Sequence, residues 1–166
     1  MAFRPIRRFG DPILRMPAEP ITEFDQRLRA IVTDLLDTVD APGHAGVAAP
    51  QIGIGVRAFS YNVDGEIGYV LNPELVELSE ETQDGVEACL SLPNLGFNTR
   101  RAQRAVVRGV DMANEPVTVS GTGLMARCLQ HETDHLAGKV YIQRLDPETR
   151  REAFSQIRDQ EWFWQR

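Results

Sequence analysis

The chain has 166 residues, with 24 acidic side chains against 18 basic ones and a net charge of −6. A hydrophobic share of 42% and a charged share of 25% are those of an ordinary globular protein, which excludes a collagen and a disordered acidic tail. No apolar run approaches the roughly 18–20 residues of a membrane span, and two cysteines, Cys89 and Cys128, are too few for a disulfide scaffold.

The length is that of one domain spanning residues 1–166. An acidic chain repels phosphate backbones. The stripe Arg100, Arg101, Arg104 and Arg108 lacks interleaved aromatics, so it reads as a solvated face or a set of local ion pairs rather than a nucleic-acid surface. Arg7-Arg8 leads into Phe9-Gly10-Asp11-Pro12, not into an apolar export segment. The expectation is therefore a cytoplasmic protein whose thiols are free, with no nucleic-acid or membrane partner.

In chain order, Phe24, Leu28, Ile31, Val32, Leu35, Leu36 and Val39 fall at helical spacing and predict a helix over 24–39. Asp40-Ala41-Pro42-Gly43 ends it. Gly43 to Gln51 is a run of small residues that reads as a loop open to close approach by a ligand or a second backbone. Val56–Val63 and Ile67–Leu71 flank Asp64-Gly65, a hairpin signal. Leu75, Val76 and Leu78 mark a third short strand. Ala105–Met112 and Val117–Val119 predict a second hairpin around Ala113-Asn114-Glu115-Pro116. Helical character returns over Leu124–Leu136, and Asp146-Pro147 supplies an N-cap and first-turn proline for a last helix. Helices at both ends with strands between them predict an α+β fold with a mostly antiparallel sheet.

The sharpest chemical signal is His131-Glu132-Thr133-Asp134-His135. Two imidazoles four residues apart share a helix face and reach one metal ion, while the adjacent glutamate is placed to take a proton from water. A catalytic metal of this kind takes three protein ligands. The downstream glutamates Glu148, Glu152 and Glu161 fall in a separate helix, so a cysteine is the better third ligand. Cys128 shares the helix face, but ligands at 128, 131 and 135 span about 10 Å along the axis. Cys89 closes a site more easily from a separate segment. Cys128 then reads as a small buried thiol under the site.

Three ordered stretches, Gly46-Val47-Ala48-Ala49-Pro50-Gln51, Glu87-Ala88-Cys89-Leu90-Ser91 and Gln130-His131-Glu132-Thr133-Asp134-His135-Leu136, resemble the three motifs of peptide deformylase. Gly10-Asp11-Pro12 with Leu14-Arg15 is similar to the N-terminal stretch of that family. The chain departs from the pattern at His44 and at Ala88, where the family has glycine.

The resemblance implies a single metallohydrolase domain over 1–166, with its sheet packed around a central helix that carries the two histidines. Cys89, His131 and His135 would hold one divalent ion, ferrous iron in the family, with zinc, nickel or cobalt as replacements. An activated water would attack the formyl carbon of an N-formylmethionyl nascent peptide and release formate. Glu132 would act as general base and then general acid, and the Gln51 amide with the Leu90 N–H would stabilise the oxyanion. The peptide would lie as an added strand against Ala45-Gly46 and the segment around Ala88, with Leu124 and Cys128 walling the methionine side chain. The ribosome is an implied partner.

Around these positions, Glu87 reads as the buried partner of an arginine such as Arg101. Asp134 either orients a ligand imidazole or faces solvent. His44 reads as a loop histidine. Trp162, Phe163 and Trp164 either pack back on the domain or form a contact surface. The rival readings are a zincin-type peptidase, a deformylase-like protein of altered or lost activity, and a structural metal site that uses both cysteines.

Overall fold

A computed structural model describes residues 3–165 of the chain. After an N-terminal strap comes α1 (Gln26–Val39), then strands β1 (Gly46–Ala48), β2 (Ala58–Val63) and β3 (Glu66–Leu78). Four two-residue strands follow: β4 (Thr82–Gln83), β5 (Val86–Glu87), β6 (Phe97–Asn98) and β7 (Arg101–Ala102). Strands β8 (Arg104–Val110) and β9 (Pro116–Thr122) lead into α2 (Gly123–Leu136), α3 (Pro147–Arg158) and the single turn α4 (Glu161–Trp164). The fold is α+β.

The main sheet has the order β1-β2-β3-β8-β9, and every neighbouring pair is antiparallel. Alternation along β2 explains how helices cover both of its faces. Ala58 belongs to the cluster built on Leu28, Val32, Leu35 and Val39 of α1, and the Ser60 hydroxyl donates to the Leu35 carbonyl at 2.8 Å. Phe59 and Val63 point the other way and pack with Met125, Ala126 and Leu129 of α2. The helix carrying both histidines is thus pressed onto the middle of the molecule. Cys89, Leu92, Leu95 and Phe97 form a further cluster with Tyr141, Ile142, Ala153, Ile157 and Trp162.

Local chemistry sets the boundaries. Asp25 caps α1 by accepting from Leu28 N at 3.0 Å, so the helix begins at Gln26 and Phe24 precedes it. Asp146 caps α3 as expected, accepting from the N–H groups of Glu148 and Thr149. Asp64 (φ 51°) and Gly65 (φ 83°) are both left-handed, the requirement of the tight hairpin turn between β2 and β3.

Two expectations change. The small-residue stretch is not all loop, because Gly46, Val47 and Ala48 pair with Tyr61, Ser60 and Phe59 as an edge strand. Three residues are too few for a period-two pattern to show. Leu75, Val76 and Leu78 are not a separate strand but the far half of β3. Asn72 adopts φ 48° and the pairing with β8 shifts between Leu71 and Glu74. Asparagine tolerates that conformation and Pro73 has no N–H to offer the ladder, so the strand kinks without ending. Among the described residues, no helix is long and apolar enough to cross a membrane.

Candidate metal centre and substrate pocket

The α2 periodicity puts His131 and His135 one above the other, with ring centroids 5.0 Å apart and planes at 68°. Cys89 comes from the turn after β5, which Leu92 N–H closes onto the Cys89 carbonyl at 2.9 Å. Its Sγ lies 3.4 Å from His135 Nε2. One atom from each of Cys89, His131 and His135 falls within 4.8 Å of the others, and all three residues are buried. Sulfur and ring nitrogen are the donor types of a zinc-like or iron-like centre, so the residues present fit a divalent metal. Cys128 is not part of the group: its thiol donates to the Ala45 carbonyl at 3.3 Å, and burial pushes that thiol well above the usual range.

The ring orientations are imposed from behind. Glu87 Oε2 accepts from His131 Nδ1 at 2.7 Å, which leaves Nε2 as the ring nitrogen free to coordinate. Arg101 grips both Glu87 oxygens, at 2.9 and 2.6 Å, and Arg127 Nη1 donates to Oε1 at 2.9 Å. Burial works to raise the Glu87 carboxyl, but the hydrogen bonds from Arg101 and His131 overcome it and hold the group well below the usual carboxylate range. The pairing with Arg101 agrees with the sequence reading, whereas the contact to His131 was not read.

Neither expectation for Asp134 holds. Its carboxylate is buried and bonds no imidazole, joining Arg101 at 2.8 Å and Arg144 at 2.7 Å instead. The orienting contact comes from Glu87, which reaches across from β5. On the other side of the trio, Glu132 is 3% exposed and its Oε2 has no hydrogen-bond partner among the described residues. Burial pushes its carboxyl up to about 7. Gly46 allows that side chain its place, since a Cβ on residue 46 would run into Glu132 Oε1.

Gln51 sits on a single 3-10 turn, Ala49–Ile52. Its Oε1 accepts from Ala48 N at 2.9 Å, which fixes the amide so that Nε2 donates to Ser91 Oγ at 3.1 Å and lies 3.6 Å from Cys89 Sγ. The N-terminal strap holds both flanking loops: Arg7 N–H donates to the Gln51 carbonyl and Phe9 N–H to the Ser91 carbonyl, each at 2.7 Å.

In front of the trio opens a cavity of about 420 Å³ lined by Ala45, Gly46, Gln51, Ala88, Cys89, Leu90, Leu124, Cys128, His131 and Glu132, together with Val86, Leu95 and Arg127. Every residue proposed from sequence except the fully buried His135 faces it. His44 turns away, its Nδ1 lying 2.7 Å from the Thr38 carbonyl at the end of α1. Trp162 packs back on the domain, with Nε1 donating to the Pro93 carbonyl at 3.2 Å, while Trp164 is 67% exposed. Sequence reading gave no role to three neighbours. Ser91 orients the Gln51 amide, Arg127 ties Glu87 to the pocket wall, and Tyr141 stacks on His131 at 5.9 Å. Ser91 lies inside the second of the three motifs and Arg127 three residues before the third, which is the only signal the sequence holds for them.

A model of the polypeptide deformylase family matches residues 3–151. The chain is 57% identical over 166 residues to a peptide deformylase of Acidothermus cellulolyticus, covering 99% of this chain and 91% of that one. It is 50% identical over 163 residues to a peptide deformylase of a Parafrankia species, covering 98% and 89%. The crystal structure of a peptide deformylase from Legionella pneumophila matches with a TM-score of 0.87 at 34% identity over 95% of each chain. One from Thermotoga maritima matches with a TM-score of 0.83 at 37% identity, covering 89% of this chain and all of that one. With sequence and architecture in agreement along nearly its whole length, the chain belongs to the polypeptide deformylase family.

Proposed function

We propose that this protein is a cytoplasmic, single-domain hydrolase that removes the N-formyl group from N-formylmethionyl peptides as they leave the ribosome, releasing formate. The observation that carries the reading is the meeting of one sulfur and two imidazoles beside an unpartnered, buried glutamate at the back of a cleft. Cys89, His131 and His135 are the residues that would hold a divalent ion, ferrous by preference, with zinc, nickel or cobalt as substitutes. When bound, the ion supplies a Lewis acid that polarises the formyl group and makes water nucleophilic at neutral pH.

The chain's own residues do the rest. Glu132 takes the proton of the attacking water on its carboxylate and returns it to the departing amine nitrogen. Gln51 Nε2 and the Leu90 N–H donate to the developing oxyanion, a contribution on the order of 3 kcal/mol per donor. Ala45, Gly46 and Ala88 line the edge along which the peptide backbone extends, and Leu124 and Cys128 flank its first side chain. A tight fit at the metal would favour a formyl hydrogen over an acetyl methyl.

The direct test is formate release from formyl-Met-Ala after anaerobic loading with ferrous iron. Turnover that vanishes on chelation and returns with ferrous iron is the expected result. Absence of turnover in the loaded protein, or cleavage of an internal peptide bond instead, would overturn the reading. The Gly46 contact gives a second expectation. Gly46→Ala forces the Glu132 carboxylate off its position, and a misplacement of about 1 Å costs on the order of 100-fold in rate. Steady-state kinetics beside a metal assay check this, with kcat falling and metal content unchanged.

A further inference from the structure

Strand β1 stands at one end of the main sheet and has only three residues, so few ladder bonds hold it. The segment that leads into it is tied at two points. The Ala45 carbonyl accepts from Asn62 N–H at 2.8 Å and from Cys128 Sγ at 3.3 Å. The second tie is His44, where the family has glycine. Its Nδ1 lies 2.7 Å from the Thr38 carbonyl, and because a carbonyl only accepts, Nδ1 carries the proton and donates. Thr38 lies in the last turn of α1, whose C=O groups have no partner within the helix. The ring therefore caps α1 and anchors the loop at once. The anchor is firm. Thr38 is buried, and its hydroxyl donates to the Asp34 carbonyl at 2.6 Å and accepts from Arg4 N–H at 3.2 Å.

A glycine at this position has no side chain to make the tie, and it frees the backbone as well. A loose edge has to be ordered when a peptide pairs with it, and that ordering costs affinity. The close approach of Gly46 to Glu132 places the reacting end of the peptide at residue 46. The rest of the peptide, running outward along the edge, passes Ala45 and Gly43, which line the cavity with Gly46. We propose that His44 is a positioning residue. By tying the start of β1 to the end of α1 it preorganises the edge for substrate residues beyond the first, and so favours longer formyl peptides over formyl dipeptides. The ring points to α1 and acts through the backbone, on binding and not on the bond-breaking step. This inference rests on the deformylase reading.

The test compares formyl-Met-Ala with formyl-Met-Ala-Ala-Ala in the iron-loaded wild type, His44→Ala and His44→Asn. Alanine removes the donor, whereas asparagine keeps one, its Nδ2 taking about the place of the ring Nδ1. In His44→Ala, KM for the tetrapeptide should rise about fivefold or more with kcat within about twofold, the mark of lost uniform binding. The tetrapeptide-to-dipeptide ratio of kcat/KM should fall about threefold or more, and a ratio taken within one preparation does not depend on how much of it is folded. Asparagine should restore both values to within about twofold of wild type. Without substrate, amide hydrogen exchange over residues 44–48 should quicken in His44→Ala and not in His44→Asn. An unchanged ratio in His44→Ala, a loss carried by kcat, exchange no faster than in wild type, or asparagine no better than alanine overturns the proposal. If His44→Ala does not fold, His44→Gly takes its place in the same comparison. Turnover of both peptides with an unchanged ratio defeats the His44 assignment alone. Turnover of neither by the wild type defeats the deformylase reading and this inference with it.

Discussion

Glu132→Gln is expected to leave the fold and the metal-binding trio intact while lowering kcat by about 10²–10⁴-fold, the usual contribution of a positioned general acid and base. The side chain is enclosed on α2, and with its carboxyl pushed up to about 7 by burial it both accepts and releases a proton near neutrality. Glutamine has the same shape and fills the same space under Gly46, but it has no carboxylate to carry the proton. One buried oxygen of the wild-type carboxylate has no partner among the described residues, and an unsatisfied buried group works against stability. The variant should therefore melt no lower than the parent. Formate release, metal content and a thermal melt measured on one preparation check all three statements. A rate within tenfold of wild type would remove Glu132 from proton transfer.

Glu87→Gln should instead act on stability and metal retention together. Glu87 lies between two guanidinium groups and an imidazole, and removing one partner from a buried ionic cluster costs about 3–5 kcal/mol. Whole domains are stable by about 5–15 kcal/mol, so denaturant unfolding should show the loss plainly. The variant also loses the carboxylate that holds His131 in its coordinating orientation, and such outer contacts are worth about 10- to 100-fold in metal affinity. Competition with a chromophoric chelator measures that change. Parental stability in the variant would mean that Arg101 and Arg127 find other acceptors.

The long elements were legible because their signals are local. Seven apolar positions at helical spacing announce α1, Asp146-Pro147 announces α3, and Asp64-Gly65 announces the first hairpin. The two histidines were legible for the same reason, since one helix face joins them. The third partner was less so: helical spacing alone does not dismiss Cys128, the axial span of three ligands on one helix favours Cys89, and the resemblance points the same way. Glu87 and Asp134 show where local reading ends. Both are acids within two residues of a coordinating residue, yet which one meets an imidazole depends on the long-range contact between β5 and α2, a packing relation that no periodicity encodes. Strand β1 escaped because its three residues are too few for a period-two alternation to show.

The cluster behind Cys89 ties the sulfur to a part of the chain that the two rings do not lean on. Phe97, Tyr141, Ile157 and Trp162 share one buried cluster with Cys89, and three of those four follow α2 in the chain. The imidazoles are anchored by the packing of α2 on the main sheet. A substitution that loosens α3 or α4 is therefore felt first at the thiol and only later at the rings.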